Sequence, residues 1–318
     1  MHHAAVILDL DGVVYIGPAA VPHAIEALNR LAAAGVVLSA ATNNANRPAP
    51  LVAAHLHELG LHIQADRVMT SAQAAGHHLA RALPAGAPVL AIGGDGVAQG
   101  LLDAGLTPLR ASADLEQASA VADAAQAVLI GYGPLVAWFD LAAGHWAIER
   151  GKPWYATNTD PTVPLPFGKA PGNGAMVGLL RTSTGVAPTV IGKPQPALFH
   201  ALVEHLGTRD ALVIGDRLDT DIDGALAAGL PSLLVCTGVH GPADLLDRPA
   251  STWPDYIAQD LRSLQQEPVD PRDANADGHP LVAAVRSVLQ GQAPASWEPT
   301  DAASPLLDLR AARVTLSP

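Results

Sequence analysis

The residues of this sequence best suited to chemistry are aspartates that follow apolar runs. Asp9-Leu10-Asp11-Gly12 comes directly after Ala5–Leu8. If that run is a buried strand, the motif sits at its C-terminal end, where open α/β sheets bind ligands. Two carboxylates two residues apart repel unless a cation or a function holds them, and Gly12 lets the chain turn sharply beside a ligand. A second acidic set, Gly215-Asp216-Arg217-Leu218-Asp219-Thr220-Asp221, follows Leu212–Ile214. Asp219 or Thr220 would serve as the cap of a helix beginning near Asp221, but three acids exceed what a cap needs. Two acidic strand ends on one sheet point to a shared divalent cation, Mg2+ first, held by carboxylates, a carbonyl and waters.

Two further segments offer anion-binding chemistry. Thr42-Asn43-Asn44 closes the apolar run Val36–Ala41, and a hydroxyl, an amide and backbone N–H groups at a strand end suit a phosphate. Lys193 lies between Val190-Ile191-Gly192 and Pro194, where a point cation would offset carboxylate and phosphate charge. Taken singly, each segment has a plain structural alternative: a capped Asp-rich turn, a polar turn leading to a helix after Pro48, or a surface lysine.

The elements that must position these residues are legible as short continuous apolar runs alternating with amphipathic stretches. Expected strands are Ala5–Leu10, Val36–Ala41, Val89–Gly93, Ala127–Tyr132, Trp154–Thr157, Thr189–Ile191, Leu212–Gly215 and Ser232–Val235. Runs without alternation belong to a parallel sheet covered on both faces. Expected helices are Pro22–Ala34, Pro48–Leu59, Ser71–Leu83, Pro194–Leu206 and Asp221–Ala228. Proline falls at or near several starts, and Gly35, Gly60, Gly207 and Gly229 follow the ends, where a left-handed cap is usual. The pattern predicts a doubly wound α/β fold with a Rossmann-like parallel sheet. From about Gln265 the alternation is lost, Pro268, Pro271, Pro280, Pro294, Pro299 and Pro305 punctuate the chain, and one helix, Pro280–Gln290, stands out; this tail reads as a partly irregular appendage.

In order and in context, the DLDG, TNN, GKP and GDRLDTD segments resemble the four motifs of the haloacid dehalogenase (HAD) phosphohydrolases. The long stretch between Thr42 and Lys193, against the short one between Lys193 and Asp216, implies a large α/β cap inserted between the second and third motifs. That arrangement is similar to the NagD-like, phosphoglycolate and 4-nitrophenyl phosphatases. MTSAQAAGHHL (from Met69), ATNTDPTVPLPFGKAPGNGAM (from Ala156) and GDRLDTDIDGALAAGLPSLLV (from Gly215) resemble the actinobacterial glycerol 3-phosphate phosphatases in particular. The resemblance covers roughly Ala5 to Leu264, and it implies a longer C-terminal extension than the tail found here. It implies a HAD core over 1–70 and 187–264, an α/β cap over 71–186, an extension over 265–318, and pairing of two copies through their caps.

The chemistry implied by the resemblance is Mg2+-dependent phosphoryl transfer in two steps. Asp9 is the expected nucleophile, forming an aspartyl-phosphate, and Asp11 the expected general acid and then base. Mg2+ is expected on the Asp9 carboxylate, the Asp11 carbonyl and Asp216, with Asp221 orienting its waters. Asp219 is a weaker candidate for the metal. Thr42, Asn43 and Asn44 are expected on the phosphoryl oxygens, and Lys193 on nucleophile and phosphate. Asn158, Asp160 and Thr162 are expected to face the leaving group. Their small polar side chains suit a short polyol such as glycerol, while phosphoglycolate, 4-nitrophenyl phosphate and sugar phosphates stay open as alternatives. A catalytically silent ligand-sensing relative would be expected to lack Asp9 or Asp11, and both are present.

Composition excludes several other classes. Thirty acidic residues against 18 basic ones give a net charge of -12, and only Lys152, Lys169 and Lys193 are lysines, so no basic stripe exists for a nucleic acid. With 49% hydrophobic residues, 15% charged and a mean hydropathy of +0.22, a buried core is expected and wholesale disorder is not. The single cysteine, Cys236, rules out an internal disulfide and a thiolate zinc site. No apolar stretch is long enough to span a membrane, so a cytoplasmic setting is expected. Gly93-Gly94-Asp95-Gly96 lacks dinucleotide-loop spacing. Asp273 to Gly278 begins like a calcium loop, but its twelfth position is Ala284. His55, His57, His62, His77 and His78 show no metal-ligand spacing.

Overall fold

The apolar run at the N-terminus forms strand β1 (Ala5–Leu8), with all four side chains buried, as an unalternating run requires when layers cover both faces. The computed structural model describes residues 3–165, 167–273, 278–294, 297–311 and 313. After β1 the chain makes a small hairpin, β2 (Tyr15–Ile16) and β3 (Ala19–Ala20). Helix α1 (Ala24–Ala33), β4 (Val37–Thr42) and α2 (Ala49–Glu58) follow. β5 (Val68–Thr70) leads directly into α3 (Ser71–Ala80). The Thr70 hydroxyl accepts from Gln73 N at 3.2 Å and the Gln73 side chain accepts from Thr70 N at 3.1 Å, a reciprocal cap that satisfies two N–H groups at once.

The middle of the chain alternates strand and helix: β6 (Pro88–Ile92), α4 (Asp95–Asp103), β7 (Thr107–Leu109), α5 (Leu115–Ala124), β8 (Ala127–Ile130), α6 (Trp138–Glu149) and β9 (Trp154–Ala156). A hairpin, β10 (Thr162–Leu165) and β11 (Gly168–Pro171), precedes α7 (Asn173–Thr184) and β12 (Thr189–Val190). The last third holds α8 (Ala197–Leu206), β13 (Ala211–Gly215), a single π turn (Leu218–Ile222), α9 (Asp223–Ala228), β14 (Ser232–Val235), β15 (Tyr256–Ala258), α10 (Pro280–Leu289) and β16 (Leu307–Asp308).

Two compact units result, one of Met1–Ala40, Leu56–Ile63 and Leu202–Pro318, the other of Ala41–His55 and Gln64–Ala201. In the first, strands run in the order β16-β15-β14-β13-β1-β4. β1 pairs in parallel with β13 (Leu8 beside Ile214) and with β4 (Leu8 beside Ala40), so the acidic segments after β1 and β13 leave the sheet at the same level. In the second, β12-β9-β8-β6-β7 form a wholly parallel sheet whose core includes Leu90, Ile92, Val128, Ala143, Ala147 and Leu180.

Small residues fill much of that second core, which is why its helices are hard to see in the sequence. The apolar faces of α5 and α6 are largely alanine, and alanine carries little amphipathic signal. Gly93-Gly94-Asp95-Gly96 is the turn that opens α4. The π turn and α9 carry no side-chain cap at Arg217 or Ile222, so neither Asp219 nor Thr220 plays the capping part open to it. The tail carries the expected helix, α10, and packs on the first unit. β16 pairs antiparallel with β15, Leu307 beside Ile257, and Leu281, Val285 and Val288 of α10 join Leu234, Ile257 and Leu307 in one buried cluster. Residues 274–277 of the calcium-loop-like segment lie outside the described residues. Among the described residues no helix is long and apolar enough to cross a membrane.

Candidate active site

Asp9 sits at the end of β1 with its N–H donated to Ile214 O at 2.8 Å, which continues the parallel ladder one residue past the strand. Asp216 follows β13 immediately, and Asp221 lies in the π turn. One carboxylate oxygen from each of Asp9, Asp216 and Asp221 lies within 4.8 Å of the other two. Asp216 and Asp221 are each only 1% exposed, a costly burial of two acids unless a cation offsets it. Asp216 Oδ2 accepts from Val239 N at 2.8 Å, and Asp221 Oδ2 accepts from Arg217 N at 3.1 Å.

Backbone without side chains surrounds these acids. Gly12 has φ +85°, and a Cβ there would lie 2.4 Å from Asp216 Oδ2, so both conformation and space demand glycine. A Cβ on Gly238 would lie 1.9 Å from the same oxygen. The Thr237 hydroxyl donates to Gly12 O at 2.6 Å, tying the turn after β14 to the turn after β1. His240 N donates to Asp216 O at 3.0 Å, and His240 Nδ1 accepts from Leu218 N at 2.9 Å.

The donor set suits a hard divalent cation: carboxylate oxygens only, clustered, with close-pressed backbone on one side. Asp11 is exposed, on the turn where Gly12 N donates to Tyr15 O at 2.8 Å. Asp219 is engaged elsewhere. Arg217 grips it with Nε at 3.0 Å and Nη2 at 2.8 Å, and those hydrogen bonds hold its carboxyl below the usual carboxylate range.

The second unit gathers the other expected residues around Asn43. Thr42 is buried, and its hydroxyl accepts from Asn44 N at 3.1 Å; Asn44 is exposed and its Oδ1 accepts from Asn46 N at 2.9 Å. Asn43 Oδ1 accepts from Lys193 N at 2.8 Å, and Asn43 Nδ2 donates to Lys193 O at 3.1 Å and to Asp160 Oδ2 at 3.3 Å. Asn158 Nδ2 donates to Asn43 O at 2.7 Å. Lys193 is 4% exposed with Nζ 3.0 Å from Ala41 O. Thr162 is exposed at the start of β10.

Sequence reading missed Ser71, whose hydroxyl donates to Asn43 O at 2.7 Å, and Asn173, whose Nδ2 donates to Asn158 O at 2.7 Å. It also missed Thr237, Gly238 and His240. A signal existed for these three: TGVH follows a buried strand, just as the acidic motifs do. Ser71 and Asn173 open helices after strands, and at such positions a capping residue and a site residue look alike.

Comparison with known proteins agrees with this geometry. Residues 6–107 match the haloacid dehalogenase-like hydrolase family, and residues 190–264 match the HAD-hydrolase-like family. The chain is 44% identical over 265 residues to the D-glycerol 3-phosphate phosphatase of Mycobacterium tuberculosis, covering 83% of this chain and 72% of that one. It is 30% identical over 267 residues to an acid sugar phosphatase of Staphylococcus aureus, covering 83% and 98%. Among solved structures, the M. tuberculosis glycerol phosphate phosphatase in complex with magnesium is similar at 44% identity with a TM-score of 0.76, over 83% of this chain and 78% of that one. The p-nitrophenyl phosphatase of Archaeoglobus fulgidus is similar at 27% identity with a TM-score of 0.73, over 83% and 98%.

Proposed function

From the premise that this chain belongs to the haloacid dehalogenase-like hydrolases and is a phosphatase among them, we propose that it hydrolyses glycerol 3-phosphate to glycerol and phosphate with Mg2+. The observation that carries the reading is the clustering of Asp9, Asp216 and Asp221 at two strand ends, in a chain 44% identical to a phosphatase of that substrate.

In this reading Asp9 attacks phosphorus and the P–O bond to the leaving alkoxide breaks, giving an aspartyl-phosphate. Asp11, exposed on a turn that Gly12 and Thr237 pin, gives its proton to the leaving oxygen and then takes one from the water that attacks the acyl phosphate. Held by the carboxylates of Asp9 and Asp216 and the carbonyl of Asp11, with waters oriented by Asp221, Mg2+ would neutralise charge between nucleophile and phosphate. Thr42 and the N–H groups of the turn after it bind phosphoryl oxygens, and Lys193 supplies fixed positive charge. Asp160 and Thr162, on the loop before and into β10, meet the leaving group. Core segments 1–70 and 187–264, cap 71–186, and pairing of two copies through the cap belong to the same reading.

A second reading, a sugar phosphate as substrate, is favoured by the 30% identity to an acid sugar phosphatase along nearly all of its length. A panel of glycerol 3-phosphate, phosphoglycolate, hexose phosphates and 4-nitrophenyl phosphate with Mg2+ decides between them. Glycerol 3-phosphate is expected to have the highest kcat/KM. A lead of about tenfold for phosphoglycolate or a sugar phosphate would remove the glycerol reading.

A further inference from the structure

Taking Lys193 as the fixed cation of the proposed phosphatase, we propose that the Asn43 carboxamide is its positioning residue, and that Asn158, carried in turn by Asn173, sets Asn43. Asn43 holds Lys193 by both polar atoms of its backbone: Lys193 N donates to Oδ1 at 2.8 Å, and Nδ2 donates to Lys193 O at 3.1 Å. A carboxamide has one acceptor oxygen and two N–H donors. The second N–H goes to Asp160 Oδ2 at 3.3 Å. The side chain is thus committed to protein partners.

The carbonyl of Asn43 is fixed just as firmly. It accepts from the Ser71 hydroxyl and from Asn158 Nδ2, each at 2.7 Å, which uses both lone pairs. Asn158 Oδ1 accepts from Asp160 N at 3.2 Å, and Asn158 O accepts from Asn173 Nδ2 at 2.7 Å. Asn158 and Asn173 are 4% and 2% exposed, so each broken bond leaves a buried polar group unmet. The approach is close: a Cβ on Gly192 would lie 2.6 Å from Asn43 Oδ1.

The chemical reason for such a clamp lies in lysine itself. Its ammonium rides on a flexible four-carbon stem, and a charge stabilises a transition state best when its position is settled beforehand. Fixing both backbone atoms of Lys193 by one side chain settles where that stem begins. Asn43 thereby acts through Lys193 and not on the phosphate, and the same chain of asparagines ties the Asn158–Asp160 loop to that setting.

The chain's three lysines make this measurable without turnover. Full-length protein is acylated with a water-soluble acetyl ester, and the rate at buried Lys193 is compared by mass spectrometry with that at exposed Lys169 in the same molecule. Asn43→Ala is expected to raise the Lys193/Lys169 ratio by about fivefold. With Mg2+ and 4-nitrophenyl phosphate it is expected to lower kcat by about tenfold while KM moves by less than about threefold. Asn158→Asp keeps the acceptor and the volume, deletes the donor to Asn43 O, and is expected to show the same pattern, smaller. Combined with Lys193→Ala, Asn43→Ala is expected to cost nothing further.

The proposal is overturned if Lys193 acylation is unchanged in both variants. It is overturned as well if KM rises while kcat holds, which marks direct contact with phosphate, or if the two losses multiply. Should Asn43→Ala lose its cooperative melt, Asn158→Asp carries the same test. A chain inactive on every phosphate ester would remove the phosphatase reading, and the acylation result would still stand for or against the clamp.

Discussion

Gly238 stands so close to Asp216 that a methyl group on it would lie 1.9 Å from Asp216 Oδ2, while the next residue, Val239, donates its N–H to that same oxygen at 2.8 Å. The turn after β14 therefore orients a buried acid of the proposed metal site by a bond and by the absence of a side chain. Gly238→Ala must push the carboxylate aside. The expected result is an apparent Mg2+ affinity weaker by about tenfold to a hundredfold, the usual scale for losing a group that orients a ligand. Titrating activity with Mg2+ checks it; an unchanged Mg2+ requirement would show that Asp216 does not bind the ion.

Asp9 and Asp11 are expected to fail differently. Asp9→Asn removes the attacking oxygen anion, and turnover should vanish for every substrate while the melting transition persists. Asp11→Asn removes a proton donor, a loss of about 10²–10⁴-fold for glycerol 3-phosphate. With 4-nitrophenyl phosphate the leaving phenolate needs no proton, so the first step should suffer far less and a burst of product should precede slow turnover. Chelation by EDTA should abolish activity in all active forms, with Mg2+ restoring it. Equal losses on both substrates without a burst would remove Asp11 from the acid role.

Much of the first unit was legible because its strands are uniform apolar runs, each ended by residues too polar to be buried without a purpose. Ala5–Leu8, Ala211–Gly215 and Ser232–Val235 were visible in this way, and the acids at two of their ends with them. The joins between segments were not legible. That Asn43 meets Lys193, or that Thr237 meets Gly12, depends on which strands lie side by side, and sequence distance carries no record of it. In the tail the helix was legible, but its docking was not. Its prolines mark breaks truthfully, but Leu307 and the apolar face of α10 find their partners in Leu234 of β14 and Ile257 of β15, a pairing that no local pattern records.

Asp260 offers a pH test of how the tail is held. Burial pushes its carboxyl up, but hydrogen bonds from the Arg262 side chain and backbone and from Gln259 outweigh that and leave it below the usual carboxylate range. Arg262 Nη2 donates to Asp260 Oδ2 at 2.7 Å and also reaches Ala302 O at 3.3 Å. A depressed folded value means that the stabilisation is complete above the unfolded Asp value of about 3.9 and is lost as pH falls through the lower folded value. Asp260→Asn should therefore cost about 1–3 kcal/mol near neutral pH, and the gap between wild type and variant in thermal melts should begin to close as pH falls below about 4 and vanish only below the lower folded value. A gap that stays constant into strong acid would mean that charge is not what Asp260 contributes.

The last prediction concerns the tail itself. β16 covers the outer edge of β15, and α10 lays Leu281, Val285 and Val288 on the cluster that contains Leu234 and Ile257. Without them β15 would present unpaired N–H and C=O groups beside bare apolar surface, a template for joining other chains. Leu281, 0% exposed, should cost about 2–5 kcal/mol when replaced by alanine. The loss is read from the thermal melt and not from kcat, because the same cluster holds Ile222, next to Asp221 in the chain. Ending the chain after Leu264 should go further, giving a protein that aggregates on concentration, measured by light scattering, and melts well below the full chain. A shortened chain that stays monodisperse with the wild-type melting temperature would show that β16 and α10 are dispensable to the first unit, against what their burial requires.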